Sequence, residues 1–404
     1  MSTSNNDELF TTNFVLVSVV WMLVFAGYYL LMAILPVYVV KQLGGQEASV
    51  GLVIGVPTIS TVLLLPVFGR QADRHGRKII LLLGLLGLSI SGPLYILAST
   101  LHLLLILRLF FGVVWGAAVA ALMALIADVS PVERRGEAMG YVNITANIAL
   151  AIGPAIGIAM IKSYDFSIVF MIFTGLAILA LATSLAIRET HRKPQDSSSV
   201  VAQSPTPKPR SLQKILFAPM IMMTVTLSYG TLLSFLPIYA IGHGVDNPGL
   251  FFTVLSIFLI ISRAATGRLS DKVGRRAVIL PGMGVIVFSL LILSMSASLP
   301  AILLVAALYG AGFGATHSAL MALAADRSDE ASRGAAMSYL AASVELGIGV
   351  GSIVLGLIVQ FVGFSGMYVT ASLIVLTGLT VFFVLERGSK PVVDSGDTRV
   401  VISE

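Results

Sequence analysis

The chain has 404 residues, of which 57% are hydrophobic and only 11% are charged, with a formal net charge of +5 at pH 7. A soluble protein with so few charges would need an implausibly large core, whereas a run of about 20 apolar residues crosses a bilayer as a helix. The basic residues lie in short loops and form no recognition motif, which argues against nucleic-acid binding. The absence of cysteine excludes disulfides and thiolate chemistry.

Twelve apolar runs follow one another along the chain, six before a polar linker and six after it. They cover 14–40, 47–68, 79–99, 102–127, 138–161, 166–187, 215–241, 248–266, 277–297, 300–325, 336–361 and 365–385. Backbone polar groups in lipid need internal partners, so each run is predicted to be a helix. The first run is longer than a signal peptide's apolar region and follows a polar, slightly acidic start, so we expect it to remain as a membrane helix.

The lysine and arginine residues predict the orientation of these helices. If the N-terminus is cytoplasmic, the outer loops hold only Lys41 and Lys162, and most other basic residues fall in inner loops, linker or tail. Cytoplasmic loops carry such an excess, so both termini are expected to be cytoplasmic. Residues 188–213 are basic and rich in serine and proline, which predicts a flexible cytoplasmic linker. The predicted organisation is a bundle at 1–187, the linker at 188–213, a bundle at 214–387 and a cytoplasmic tail at 388–404.

The second half of the chain repeats the first with a shift of 198 residues. GRQADRHGRK at 69–78 aligns with GRLSDKVGRR at 267–276. Residues 110–141 align with 308–339 without a gap and share 16 of 32 positions. LPVY in the first run is echoed by LPIY in the seventh. Parallel repeats of this kind predict an all-α membrane protein of 12 transmembrane helices in two pseudo-symmetric six-helix bundles.

These features together resemble the major facilitator superfamily over essentially the whole chain. The paired GxxxDxxGRK and GxxxDxxGRR loops are similar to its signature loop between helices 2 and 3 and the echo of that loop between helices 8 and 9. The resemblance implies a transporter that works by rocking two halves around a site at the membrane midplane.

The fifth run resembles the helix-5 motif of proton-coupled drug exporters within that superfamily. Its sequence departs from the motif at Ala149 and Ile158, where glycine is preferred. The fourth run resembles the helix-4 motif at Arg108 and Gly112, with departures at the positions of Phe111 and Val114. The resemblance therefore implies a drug:proton antiporter. The residues that carry the helix-5 motif are Gly140, Gly153, Pro154 and Gly157.

Ala149, Gly153 and Gly157 also form a stripe of small residues spaced every four positions, which lets helices approach closely. We expect this stripe to line the contact between the two halves. Pro154 has no counterpart in the repeat, where Ser352 stands. It is interpreted as a hinge or a seal against leakage, with ordinary packing as the alternative.

The two signature loops are predicted to be cytoplasmic gates rather than binding sites. Asp73 is placed to accept hydrogen bonds from the free N–H groups at a helix N-terminus, and the resemblance implies that this helix is the eleventh. Arg77 is expected to pair with Asp128. We interpret each set of a signature loop and its partner aspartate as a latch, which is expected to form when the transporter faces outward and to break when it faces inward. A purely topological role explains the basic residues but not the recurring glycines and aspartates. The predicted gate residues are Gly69, Asp73, Gly76, Arg77, Lys78, Asp128, Gly267, Asp271, Gly274, Arg275 and Asp326.

Ionisable residues inside the predicted helices mark the candidate transport site, because a charge at mid-bilayer is costly. Glu345 and His317 lie about 15 and 13 Å along adjacent helices at 1.5 Å per residue, near the midplane where transporter sites lie. Glu345 is the candidate proton or cationic-substrate site, or else a structural glutamate. His317 is a relay or ligand contact, or else a packing histidine. Arg108 either lines the cavity or snorkels to the outer surface, and Arg263 is interpreted as snorkelling near the inner surface or supporting the gate.

Polar and aromatic residues of the predicted cavity helices complete the candidate site. Asn147 aligns with Glu345 in the repeat. Tyrosines also anchor helices at membrane interfaces, so each of them alone is a weak signal. The further candidates are Tyr28, Tyr29, Asn143, Asn147 and Tyr229.

The sequence contains no GxxxxGK[ST] loop and no HExxH or paired-cysteine motif, so neither direct ATP drive nor an enzyme is indicated. We expect a secondary exporter of a small amphipathic compound or drug, with the proton gradient as energy source and no cofactor. The alternatives are a dedicated exporter of an endogenous metabolite, sugar or metallophore, an uptake symporter, a lipid flippase, or a non-transporting sensor. The protein is expected to be a monomer in the cytoplasmic membrane of a bacterium or archaeon.

Overall fold

The computed structural model describes residues 9–189, 209–296, 298–329 and 332–386. Within these ranges the chain is α-helical, with one short 3-10 turn at Val132–Arg134 and no strand. The helices are α1 Thr12–Lys41, α2 Glu47–His75, α3 Arg77–Ile96, α4 Leu101–Val129, α5 Arg135–Ser163, α6 Phe166–Leu185, α7 Pro209–Gly242, α8 Gly249–Val273, α9 Arg275–Met295, α10 Leu299–Asp326 and α11 Arg333–Glu386.

All eleven described helices are long and apolar enough to cross a membrane. Helix α11 has 54 residues, or about 80 Å of helix, whereas the hydrocarbon of a bilayer is about 30 Å thick. Its backbone is not helical at Gly363, where φ is 69° and ψ is −179°. This break divides α11 into two arms, α11a before Gly363 and α11b after it, which are the predicted eleventh and twelfth spans.

The polar linker and tail fall largely beyond the part of the chain that the structure describes. Residues 190–208 and 387–404 lie outside it, so most of the predicted linker at 188–213 and the tail at 388–404 are not seen. Helix α7 begins at Pro209, within the predicted linker and earlier than the predicted start at 215.

The internal repeat is visible in the backbone as well as in the sequence. Gly76 alone separates α2 from α3, with φ of 100°, and Gly274 alone separates α8 from α9, with φ of 89°. Only glycine adopts such a conformation without strain, which explains its presence at both turns. The LPVY and LPIY sequences also have matching roles in the two halves. Tyr38 donates a 2.8 Å hydrogen bond to the Ala98 carbonyl, which follows α3, and Tyr239 donates one of 3.0 Å to the Leu293 carbonyl near the end of α9.

Helices α1–α6 form one bundle, and α7–α11 form the other. The Arg188 amide donates to Asn13 at the start of α1, and Arg276 at the start of α9 donates to the Glu386 carbonyl at the end of α11b. Each bundle therefore begins and ends at the same face of the membrane region. We call this face the termini end and the other face the opposite end.

The two bundles contact each other at the opposite end. Thr253 in α8 donates a 2.6 Å hydrogen bond to the Ala151 carbonyl in α5. Gln360 in α11a donates a 3.0 Å hydrogen bond to Gln46, beside the start of α2. A Cβ added to Gly51 in α2 would lie 2.2 Å from the Ser352 carbonyl oxygen in α11a. Close backbone approach of this kind needs small residues, so glycines close this end of the protein.

The bundles separate towards the termini end. Asn143 lies eight residues before Ala151, on the same face of α5, but its side chain is exposed. Ala341 lies eight residues before Gly349 on α11a and is also exposed. Gly140 has no neighbouring atom within 4 Å of where a Cβ would lie. The space between the bundles is therefore a cleft that opens to the termini end, which we call the central cleft.

Candidate functional site

Glu345 lies at the closed end of the central cleft. It is one helical turn before Gly349, which packs against Thr58 of α2 in the other bundle, so both residues occupy the same face of α11a. The carboxylate is half-buried and makes neither a hydrogen bond nor an ion pair with any described residue. It lies within electrostatic reach of Tyr28 and Tyr29 in α1. A carboxylate of the second bundle thus faces two phenols of the first.

The first bundle contributes an aromatic wall to the cleft. The Tyr28 ring stacks on Trp115 with centroids 4.4 Å apart, and Phe25 lies 5.2 Å from Trp115. Tyr29 lies 5.4 Å from Tyr28 in an edge-on arrangement. These rings come from α1 and α4, and they offer a flat, largely apolar surface opposite Glu345.

The second bundle adds a matching aromatic stack that ends in a histidine. Tyr229 in α7 stacks on Phe313 in α10 at 4.8 Å, and Phe313 stacks on His317 at 5.9 Å. Buried Tyr229 is also within electrostatic reach of Tyr28 and Tyr29 across the cleft. Tyr28 and Tyr29 therefore come together with Glu345 and Tyr229, and His317 lies at the end of the same aromatic stack.

Arg263 belongs to the same group of residues, which corrects the interpretation drawn from the sequence. Helix α8 continues six residues past Gly267 to Val273, so Arg263 lies about 15 Å from the end of its helix rather than near the surface. It is within electrostatic reach of Tyr29, Tyr229 and His317. We call these six residues the central cluster: Tyr28, Tyr29, Tyr229, Arg263, His317 and Glu345.

Arg108 lies inside the first bundle and outside the central cluster. Its side chain has no exposed surface, so it does not snorkel to water. Its Nε donates a 2.7 Å hydrogen bond to the Val53 carbonyl in α2, and one terminal nitrogen donates to the Tyr95 hydroxyl in α3 at 3.3 Å. The guanidinium also lies over the Phe111 ring at 4.7 Å. Arg108 therefore joins α2, α3 and α4, although its charge reaches Tyr28 electrostatically.

The two asparagines of α5 differ in their surroundings. Asn147 is buried and donates a 2.8 Å hydrogen bond to the Asn143 carbonyl in its own helix. Asn143 is exposed on the face of α5 that lines the cleft. The Asn147 side chain thus donates to the backbone of its own helix, whereas its repeat counterpart Glu345 makes no hydrogen bond or ion pair with a described residue.

Ion pairs occupy the signature loops in both halves. Arg77 pairs with Asp128 and lies 3.7 Å from Asp73, and it donates a 2.9 Å hydrogen bond to the Ala124 carbonyl. In the repeat, Arg275 pairs with Asp271 and lies 2.9 Å from Asp326. Each arginine therefore ties the end of one helix hairpin to the next within its own bundle. These ion pairs are formed while the termini end is open, so they do not act as the latches between bundles that the sequence predicted.

The gate contacts between bundles are not formed in this arrangement. The Asp73 carboxylate is 65% exposed, and its ion-pair partner among the described residues is Arg77 rather than a group of α11. Lys78 donates from its side chain to the Leu185 carbonyl at 2.7 Å, and from its backbone to Glu189. A Cβ on Gly69 or Gly267 would meet no atom within 4 Å, so nothing in the structure explains these two glycines.

The α5 stripe packs within its own bundle, contrary to the expectation that it lines the contact between halves. A Cβ on Gly153 would lie 3.0 Å from the Ala26 carbonyl oxygen in α1, and one on Gly157 would lie 3.1 Å from Ile34. Spacing defines a face of a helix but not the helix that packs there. Pro154 does lie at the contact between bundles, since its carbonyl oxygen is close to Gly249 of α8.

The bundles and the central cluster together define a multi-pass membrane transporter of the two-bundle type. The family model of the Major Facilitator Superfamily matches residues 17–272 and 243–403, so the chain belongs to that superfamily. This confirms the resemblance seen in the signature loops. Membership places the chain among transporters of small molecules rather than among enzymes.

Curated relatives include an uncharacterized MFS-type transporter of Methanocaldococcus jannaschii, which is 25% identical over 382 residues, 92% of this chain and 98% of that protein. The quinolone resistance protein NorA of Staphylococcus aureus is 28% identical over 211 residues. The NorA match spans about half of either protein, 52% of this chain and 53% of NorA.

Solved structures share the fold at low sequence identity. A bacterial homolog of the human lysosomal transporter Spinster, in an inward-facing and unoccupied conformation, has a TM-score of 0.78 at 15% identity, covering 96% of this chain and 98% of that one. The nucleoside transporter NupG has a TM-score of 0.75 at 12% identity, covering 94% of this chain and 100% of that one. These likenesses establish the fold.

Proposed function

We propose that the protein exports a small amphipathic compound or drug by proton antiport, through alternating access to the central cluster. It acts as a monomer in the cytoplasmic membrane of a bacterium or archaeon, with the proton gradient as its energy source and no cofactor. In this proposal the termini end is cytoplasmic and the structure represents the inward-facing state. The similarity to NorA supports the drug-efflux branch.

The observation that carries the proposal is the unpaired carboxylate of Glu345 at the closed end of the cleft. No described cation neutralises it, and an isolated charge is costly in a water-poor site. Either a proton or a cationic group of the substrate can remove that charge. Competition between the two for one carboxylate is sufficient to exchange substrate for protons, because loading one expels the other.

Alternating access then follows from the way the bundles meet. The opposite end is closed by backbone contacts of small residues, and the termini end is open. When the bundles rock, these contacts break and the signature loops close the termini end. Asp73 and Asp271, both 65% exposed here, are the carboxylates that we propose for that closure.

The experiment that tests the proposal replaces Glu345 with Gln in proteoliposomes loaded with rhodamine 123 as the probe. We expect transport driven by a pH gradient to fall to background, while exchange of labelled for unlabelled dye without a gradient persists. Glu133→Gln, which alters an exposed carboxylate beside α5, is the matched control and retains both activities. Undiminished gradient-driven transport by the Glu345→Gln protein would contradict the proposed role of Glu345 in proton coupling.

A direct proton measurement separates coupling from folding defects. Addition of rhodamine 123 to the purified wild-type protein in weak buffer is expected to release protons, because the dye displaces them from Glu345. The Glu345→Gln protein is expected to bind the dye without proton release. Equal proton release from both proteins means that another group carries the proton.

A further inference from the structure

We propose that Arg263 forms a binding site for an anionic group of the substrate, so that the protein takes flat aromatic zwitterions with a carboxylate at one side. This inference rests on the proposed function and names the substrate class for it. The positive group of such a compound lies at Glu345, its ring system lies between the tyrosines, and its carboxylate lies at Arg263.

Arg263 is a cation deep in the membrane region that has no partner among the described residues. Its Nε is buried and makes no hydrogen bond, and no described carboxylate pairs with it. The nearest carboxylate along its helix, Asp271, is two turns away and is paired with Arg275. Arg263 as a whole is half-buried, and an unpaired charge at this depth is unfavourable unless a ligand completes it.

The fold does not require a charge at the position of Arg263. The repeat counterpart of Arg263 in the first bundle is Leu65, an apolar residue in α2. Helix α2 has the same place and connections in its bundle as α8 has in the other, and it forms without an arginine there. A costly group that the architecture does not need is expected to serve a ligand.

The surroundings of Arg263 are aromatic and suit a flat ligand with a negative group. Arg263 is within electrostatic reach of Tyr29, Tyr229 and His317, so aromatic rings flank the guanidinium. Tyr29 is also within reach of Glu345. Glu345 and Arg263 are therefore both within electrostatic reach of one tyrosine, and they form no ion pair with each other. A guanidinium binds a carboxylate through two parallel hydrogen bonds, and the rings accept a flat body between the charges.

The test uses two dyes with the same ring system. Rhodamine 110 carries a free carboxylate, whereas rhodamine 123 is its methyl ester and lacks that negative charge. Binding to the purified full-length protein is measured by dye fluorescence anisotropy. We expect the wild type to bind rhodamine 110 more tightly by about tenfold, the scale of a charge-assisted hydrogen-bonded pair, and Arg263→Gln to abolish this preference.

Two further variants and a stability measurement make the test specific. Arg263→Lys keeps the charge but not the planar fork, and is expected to retain part of the preference. Arg70→Gln, which alters an exposed arginine at the termini end, is expected to leave it unchanged. The thermal unfolding temperature of Arg263→Gln is expected to stay close to that of the wild type, since no described carboxylate pairs with Arg263 and its Nε makes no hydrogen bond. A structural arginine would show a decrease instead.

The outcomes separate this inference from the proposed function. Equal binding of the two dyes by the wild type, binding of neither, or a preference that survives Arg263→Gln overturns the anion site. Proton-coupled export of rhodamine 123 is tested separately, by transport in proteoliposomes. If the preference depends on Arg263 but a pH gradient moves neither dye in proteoliposomes, the anion site is retained and the proposed export is rejected.

Discussion

Gly249 at the start of α8 lies directly against the backbone of Pro154 in α5. A Cβ added to Gly249 would lie 2.6 Å from the Pro154 carbonyl oxygen and 2.5 Å from the Ala155 Cα. Nearby, Lys162 and Asp246 form an ion pair of 2.9 Å between the same two bundles. The first turn of α8 therefore closes on α5 without room for any side chain, and this fit seals the opposite end.

Replacing Gly249 with Val is expected to shift the protein away from the closed opposite end. Overpacking a tight contact costs about 2 kcal/mol, which changes an equilibrium by roughly thirtyfold. Because the chain has no cysteine, Lys162→Cys with Asp246→Cys in one protein can report closure through the yield of a short thiol-reactive cross-linker. We expect that yield to fall strongly with Gly249→Val.

The control for this experiment is Gly175→Val in α6. A Cβ at Gly175 meets no atom within 4 Å, so the added side chain projects away from the bundles. Its cross-linking yield is expected to match that of the cysteine pair alone. An unchanged yield with Gly249→Val means that the contact with Pro154 does not hold the opposite end closed.

Replacing Gly76 or Gly274 with Ala is expected to lower stability. With φ of 100° and 89° and ψ of 141° and 150°, both turns use a backbone region that is essentially restricted to glycine. Forcing another residue into it costs about 1–3 kcal/mol. The measurement is the thermal unfolding temperature of the detergent-purified protein, with each substitution made separately.

Gly69→Ala is the matched variant for the signature loop. Gly69 is a helical residue in α2 with open space around its Cβ position, and Ala is a better helix former by about 1 kcal/mol. Its unfolding temperature is expected to hold or rise while that of Gly76→Ala falls. The same unfolding temperature for all three alanine variants would mean that positive φ is not the reason for the loop glycines.

Replacing Arg108 with Lys is expected to destabilise the first bundle without changing dye affinity. Lysine cannot make the paired bonds to the Val53 carbonyl and the Tyr95 hydroxyl, and each lost buried hydrogen bond costs roughly 1 kcal/mol. Tyr95→Phe removes one of those bonds and is expected to have a smaller effect. Thermal unfolding and rhodamine 123 binding are measured on the same preparations. Full stability combined with lost binding would instead place Arg108 in the transport site.

Much of the architecture could be predicted because the bilayer leaves few solutions. Apolar runs of this length must be helices, and loops rich in basic residues alternate with loops that have few. The repeat with a shift of 198 residues shows which positions of the two halves are equivalent. The pairing of Arg77 with Asp128 also followed from its recurrence as Arg275 and Asp326. Each of these features depends on the local sequence or on the internal repeat, and both can be read from one sequence.

The neighbours of each helix face could not be predicted in the same way. Four-residue spacing places Gly153 and Gly157 on one face of α5, but the helix that packs there depends on how the bundle is assembled. The depth of Arg263 was misjudged because apolar character declines at Gly267, whereas the helix itself continues. The role of Arg108 depends on a carbonyl and a phenol from two other helices, and neither partner has a sequence signature.

The central cluster also divides its chemistry between the two bundles. Arg263, His317 and Glu345 all belong to the second bundle, where the first has Leu65, Val119 and Asn147, while Tyr28 and Tyr29 belong to the first. If the bundles rock as rigid bodies, the three ionisable groups travel together and keep one fixed electrostatic pattern. A bound molecule then keeps the same polar contacts, and its contact with Tyr229 of the second bundle, from one side of the membrane to the other. Only its contact with Tyr28 and Tyr29 of the first bundle changes.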